Sequence, residues 1–178
     1  MNEFTERKIN SDIKYRGRII NVKLDEVRLP SGQGSYRELV EHPGAVAVLG
    51  QERGGRLVLV QQYRYPAGRA MVEIPAGKLE HDEPPEECAR REMEEETGYR
   101  LGNMELLTCI YTTPGFCNEV IYIFRSYELD FVGNSAGAGG AGEEEFLKTI
   151  LLSREEALEK TRNGDIIDAK TLIALLWP

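Results

Sequence analysis

The chain is poor in the residues that build disulfide scaffolds, zinc sites and membrane spans: three cysteines, two histidines and one tryptophan in 178 residues. Cys88, Cys109 and Cys117 are odd in number and form no CxxC spacing, which excludes a disulfide framework and fits a reducing cytosol. His42 and His81 are isolated and lack ligand spacing. Apolar runs such as 172–177 are far too short to span a bilayer, and the opening MNEFTERKIN has no apolar segment of a secretory signal. A soluble, cytoplasmic protein is expected. Basic charge is also scarce, with 22 Lys+Arg against 30 Asp+Glu, a net charge of −8 and a pI near 5.0. Such a surface repels polyanions, so neither nucleic acid nor an anionic membrane is an expected partner. A small phosphate ligand remains compatible if a divalent cation stands between it and the protein. No Walker A sequence occurs, and the G-x-G-x-x-G at 137–142 precedes three glutamates and a strand rather than opening a helix, so it is not a dinucleotide fingerprint.

What is present is ordinary globular material, 41% apolar and 29% charged, in about one domain's length. Alternating or apolar β-rich stretches predict strands at 19–29, 36–41, 45–49, 57–62, 71–74, 104–111, 120–127 and 146–152. Residues 84–97 are helical in composition and stop at Gly98. Ser153 with Glu156 forms a capping-box pattern, and Asp168 is placed to cap a last helix whose apolar positions are Ala169, Leu172, Ile173 and Leu176. Residues 133–142 are low in complexity and read as a loop. The order of elements predicts an α/β (α+β) fold with helices packed on a mixed sheet. Residues 1–43 form an N-terminal β region and 44–178 the main domain.

The densest chemical signal is GKLEHDEPPEECARREMEEETGY at 77–99. On a helix Glu92, Glu95 and Glu96 fall at i, i+3 and i+4, so their carboxylates share a stripe, while Ala89 and Met93 point to a neighbouring face. Like charges at this spacing repel by about 0.2–0.5 kcal/mol per exposed pair. A hard divalent cation reverses that sign, because it prefers oxygen ligands. A solvated acidic face paired with Arg90 and Arg91 is the plain alternative.

The flanking residues add to this. Gly77, Glu83, Arg91, Glu92, Met93, Glu95, Glu96, Gly98 and Tyr99 together resemble the Nudix box, G-x5-E-x7-R-E-U-x-E-E-x-G-U, with U apolar. The resemblance implies an α/β/α sandwich around a mixed sheet and hydrolysis of a nucleoside diphosphate linked to another moiety. It implies Mg²⁺ as the cofactor, with Mn²⁺ as the alternative ion. It also implies Glu92, Glu95, Glu96 and the Ala76 carbonyl as metal ligands, with Arg91 orienting Glu95 and its neighbours. Gly77 and Gly98 are expected to permit the turns at either end of the motif.

Three further segments are similar to the ADP-ribose pyrophosphatase branch: Gln61-Gln62-Tyr63-Arg64, Glu73-Ile74-Pro75-Ala76-Gly77, and Thr113-Pro114-Gly115-Phe116, whose proline lies fifteen residues beyond Tyr99. By that similarity the general base lies on a later loop within Glu143-Glu144-Glu145. Glu143 is the best match for the base and Glu145 for an auxiliary metal ligand. Arg64 and Arg37 are the candidate cations for the phosphates or the terminal ribose. Glu73 is a candidate acceptor for adenine or ribose, Glu119 for a sugar hydroxyl, and Gly115 and Phe116 for the substrate loop. The branch also implies a homodimer that exchanges N-terminal strands, with Val22, Leu24, Val27 and Leu29 available to an intersubunit sheet.

Overall fold

Apolar residues on both parities of two adjacent strands require cover on both faces of a sheet, and the computed structural model shows how that cover is supplied. It describes residues 3–133 and 146–178. The strands are β1 (Arg7–Arg16), β2 (Asn21–Arg28), β3 (Gly34–Glu41), β4 (Ala45–Gln51), β5 (Leu57–Arg64), β6 (Arg69–Glu73), β7 (Ala76–Lys78), β8 (Tyr99–Leu101), β9 (Glu105–Tyr111), β10 (Val120–Ser126), β11 (Leu129–Phe131) and β12 (Leu147–Leu152). The helices are α1 (Pro85–Thr97), α2 (Arg154–Arg162) and α3 (Ala169–Leu176). The chain divides into two units, Met1–Gly44 with Tyr111–Val120, and Ala45–Ile110 with Ile121–Pro178. The first unit therefore takes in residues 111–120, which a single boundary at 43 leaves out.

The first unit is an antiparallel sheet in the order β1-β2-β3. β1 is an edge strand, exposed at all ten residues and bulged twice against β2. Its charged sequence, RKINSDIKYR, gives little strand signal by apolar alternation, and it is the long strand that the sequence did not predict. The 113–117 turn joins this unit through the Val40 amide, which donates to the Phe116 carbonyl at 2.8 Å.

The second unit is built on a seven-stranded mixed sheet. The main path runs β12-β5-β4-β10-β9, with β6 on β5 and β7 on β4. β10 runs parallel to β4, while β5 and β7 pair with it antiparallel. β4 and β5 pair only at Gly50–Val58 and Gln51–Leu57, then diverge. β6 lines the open side of β5, and β7 lines that of β4. The gap thus holds the segment 73–77, with the Val48 amide donating to the Pro75 carbonyl at 2.9 Å.

Parity sorts the core. Val46, Val48, Val58 and Phe124 face Cys88, Ala89 and Met93 of α1, whereas Ala47, Leu49, Leu57, Leu59 and Ile123 face Ala157, Ala174 and Leu175 of α2 and α3. This is the expected α/β/α layering. Gly98 ends α1 in the left-handed region at φ 73°, a conformation that L side chains avoid. The Ser153–Glu156 capping box and the Asp168 cap are both formed. One register differs from expectation: α3 buries Lys170, Thr171, Ala174 and Leu175, while Leu176 is exposed. The cause is ionic, because Lys170 is drawn inward by Glu73 and Asp168.

Met93 is fully buried between α1 and the sheet. Met93→Ala is expected to cost about 2–5 kcal/mol by transfer and cavity terms, read as a lower urea midpoint with unchanged m-value.

Candidate active site

One cation, Arg91, links two carboxylates of α1 to the loop before the helix. Arg91 donates from Nε and Nη2 to the two oxygens of Glu83 at 2.9 and 3.0 Å, a bidentate fork. Its Nη1 donates to Glu92 at 2.7 Å and to Glu95 at 3.2 Å. Nη2 also reaches the Lys78 carbonyl at 3.4 Å and the Cys88 sulfur at 3.3 Å. One guanidinium therefore ties Glu83, in the loop before the helix, to two glutamates of α1. Glu83 accepts a further bond from the Glu80 amide at 3.0 Å, closing that loop. The fork from Arg91 holds the Glu83 carboxyl down at about 2, against an ordinary 4.5.

Glu92 lies differently. Burial pushes its carboxyl up, and the bond and charge of Arg91 offset this only in part. Its side chain rests on Gly77: a Cβ there would stand 1.8 Å from the Glu92 Cδ. Gly77 is thus required by close approach within β7, a reason different from the expected turn. Glu96 reaches back to the same strand, accepting from the Ala76 amide at 3.1 Å. The split between β4 and β5 is what brings Ala76 and Gly77 to the glutamates of α1.

Among the described residues no three or more His, Cys, Asp or Glu side chains form a ready-made metal cage. The donor set nonetheless fits a hard divalent cation. It consists of carboxylates, one of them partly buried with its charge incompletely balanced, beside a strand whose glycine leaves room for them. Arg91 is hydrogen-bonded to both Glu92 and Glu95. Glu143 and Glu145, the candidates for base and auxiliary ligand, lie outside the described residues.

The remaining candidates fall into two sets. In the second unit Arg64 donates from Nε and Nη2 to Glu73, both at 2.8 Å. Glu73 is 1% exposed and also accepts from Lys170 Nζ at 2.5 Å. Burial alone would raise its carboxyl, but the bonds and charges of Arg64 and Lys170 outweigh this and bring it below its ordinary value. Glu73 is here the partner of two cations rather than a free acceptor. In the first unit Arg37 is occupied by Glu6 at 3.0 and 2.5 Å and by the Tyr36 carbonyl at 2.9 Å. Glu119 accepts from Thr112 Oγ1 at 2.7 Å and stands 3.5 Å from His42 Nδ1. Phe116 is exposed, and the space around Gly115 is open.

Lys170 and the role of Glu83 were missed from the sequence. Glu83 carried a signal, being a defined position of the motif eight residues before Arg91. Lys170 carried none, because a lysine on a surface helix ordinarily faces water.

The Glu83–Arg91 pair gives a pH prediction. A carboxyl held down in the fold stabilises it fully above its unfolded value and loses that contribution as pH falls through the folded one. Glu83→Gln should therefore lower stability by a constant amount above about pH 5, with the gap to wild type closing between the ordinary 4.5 and about 2. Urea titrations at pH 7, 4 and 3 measure this directly.

Comparison with known proteins identifies the family and the fold. The NUDIX domain model matches residues 40–174. A protein of Bacillus methanolicus described as methanol dehydrogenase activator is 44% identical over 98% of this chain and 92% of its own. An ADP-ribose pyrophosphatase of Bacillus subtilis (strain 168) is 39% identical over 99% of this chain and 94% of its own. Among solved structures, an ADP compounds hydrolase superposes with a TM-score of 0.81 at 18% identity, covering 97% of this chain and 91% of that one, which shows a shared fold.

Proposed function

The chain belongs to the Nudix family, and on that premise we propose that it is a Mg²⁺-dependent pyrophosphohydrolase splitting ADP-ribose into AMP and ribose 5-phosphate. The observation that carries the reading is the Arg91 clamp, which gathers Glu83, Glu92 and Glu95, with Glu92 resting on Gly77 and Glu96 bonded to the Ala76 amide. The relative named ADP-ribose pyrophosphatase, aligned over nearly the whole chain, supports the choice of substrate.

Nudix hydrolases work with a divalent metal ion. Here Glu92, Glu95, Glu96 and the Ala76 carbonyl would hold Mg²⁺, or Mn²⁺ in its place, and the ion would supply positive charge for the diphosphate oxygens in the transition state. The protein's own contribution is positional. Arg91 keeps mutually repelling carboxylates in one stripe, and Glu143 takes the proton of the attacking water, with Glu145 as auxiliary ligand. Water adds to one phosphorus, the bridging P–O bond breaks, and the bridging oxygen leaves on the other phosphate. Arg64 takes the phosphates or the terminal ribose. In the first unit Arg37, Gly115, Phe116 and Glu119 are proposed as substrate contacts, and Arg37 would exchange Glu6 for ligand.

The protein is proposed to be a cytoplasmic homodimer. Its three cysteines are free, and among the described residues no helix is long and apolar enough to cross a membrane. β1 offers a fully exposed edge carrying Ile9, Ile13 and Tyr15, the kind of edge that templates pairing with another chain.

The relative named methanol dehydrogenase activator favours a second reading, a nucleotide-binding regulator of a dehydrogenase. Turnover separates the two. Purified protein with ADP-ribose and Mg²⁺ should release AMP, whereas binding without AMP over a range of pH and divalent ions would reject hydrolysis and support regulation. Side-by-side kcat/KM on other nucleoside diphosphate sugars and dinucleotides ranks the substrate. Glu92→Gln is expected to lower kcat/KM by at least about 100-fold, since a bound metal contributes several kcal/mol, with an unchanged circular dichroism spectrum.

A further inference from the structure

A line of four charged side chains crosses the second unit, from half-buried Asp168 through buried Lys170 and Glu73 to the more exposed Arg64, and the α1 carboxylates take no part in it. Asp168 and Lys170 open α3, Glu73 ends β6, and Arg64 ends β5. Signs alternate along the line. Lys170 Nζ lies 3.0 Å from Asp168 Oδ1 and 2.5 Å from Glu73 Oε2, and both Glu73 oxygens receive the Arg64 fork at 2.8 Å. Lys170 is 8% exposed and Glu73 1%, while the Arg64 side chain is 37% exposed. We propose that Lys170 and Asp168 are positioning residues for Arg64, acting through Glu73. The inference deepens the proposed function and rests on its reading of Arg64 as a substrate cation.

Stability alone is a poor reason for such a line. Buried ion pairs cost desolvation, and apolar residues of similar volume often serve a core as well or better. The neighbours Ile74 and Leu175 are fully buried and apolar, so the site could have been packed that way. What the charges add is direction. A carboxylate held by Lys170 from the α3 side presents a fixed edge to the Arg64 fork, and a fork anchored through Nε and Nη2 has a fixed plane. The helix itself is keyed to the same strand segment. Asp168 caps it, accepting from the Thr171 amide at 3.0 Å and from Thr171 Oγ1 at 2.6 Å, and that hydroxyl accepts from the Ile74 amide at 2.9 Å. The docking of α3 thus sets Glu73, and Glu73 sets Arg64.

Full-length variants assayed with ADP-ribose and Mg²⁺ test this. Arg64→Ala should raise KM about 10-fold or more, as loss of a binding contact does. Lys170→Met should raise KM about 5-fold with kcat within about twofold, and the Arg64→Ala/Lys170→Met double variant should be no worse than Arg64→Ala, because residues acting in series are not additive. Lys170→Arg, which keeps the cation, should recover most of the KM. An unchanged KM in Lys170→Met beside a raised KM in Arg64→Ala overturns the proposal, as do additive effects. If Lys170→Met does not fold, Asp168→Asn replaces it, since the amide keeps the helix cap, and an unchanged KM there counts equally against the proposal. A readout free of activity separates failure of the line from failure of the Arg64 reading. The Arg64 Nε–H resonance, identified by its loss in Arg64→Ala, should be protected from solvent exchange in the wild type and lose that protection in Lys170→Met. Protection unchanged by Lys170→Met overturns the positioning role. Protection lost while Arg64→Ala leaves KM unaltered retains the positioning role and removes Arg64 from the substrate.

Discussion

Three carboxylates on one stripe of a short helix repel each other, and the rest of the site depends on how that repulsion is held. The helix supplies the spacing at no cost, since 92, 95 and 96 meet by periodicity alone. It does not supply the charge balance. For Glu92 and Glu95 Arg91 does, and it can serve several partners because a guanidinium presents five donors in one plane, while Glu96 accepts from the Ala76 amide. Two of its nitrogens are committed to Glu83, which fixes the plane, and the third is left pointing at Glu92 and Glu95. Glu83 is therefore as much a part of the arrangement as the stripe itself, although it lies in the loop before α1.

The second constraint comes from the sheet. A β4–β5 pair zipped along its whole length would leave no place for the strand that must lie under Glu92. Because the two strands pair over only two positions and then part, the segment from Glu73 to Gly77 enters between them. Its two ends then serve two purposes. Ala76 and Gly77 meet the α1 glutamates, and Glu73, three residues earlier, anchors Arg64. Proline at 75 suits this insertion, since its carbonyl accepts from Val48 while it has no amide that needs a partner.

These features differ in how far the sequence exposed them. The stripe, its apolar backing at Ala89 and Met93, the stop at Gly98 and both caps of the later helices were legible, because each follows from spacing within a dozen residues. β1 was not legible. Its strand state depends on pairing with β2 rather than on alternation of its own, and its charged residues resemble a solvated tail. Gly77 was visible as a defined position, but its reason was not, since the demand comes from a side chain fifteen residues away. The face of α3 was misread by one position for a related cause. Hydropathy ranks lysine last for burial, and only two carboxylates distant in sequence or turned inward can reverse that ranking.

Arg91 and Arg64 of the second unit share one device, which Arg100 repeats on Glu94. In each, a guanidinium is pinned through Nε and Nη2 to both oxygens of a single glutamate. The difference lies in what stands behind that glutamate. Behind Glu83 stand a loop amide, from Glu80, and the Cys88 side chain, which are enough for a carboxylate still partly open to water. Behind Glu73 there is no such solvent, and a buried carboxylate with a single partly exposed counter-ion would be poorly compensated. A second cation from α3 makes up the deficit, and Asp168 then balances the charge of that lysine. Because its anchor is buried, fixing the direction of Arg64 takes a chain of four charges where Arg91 needs two.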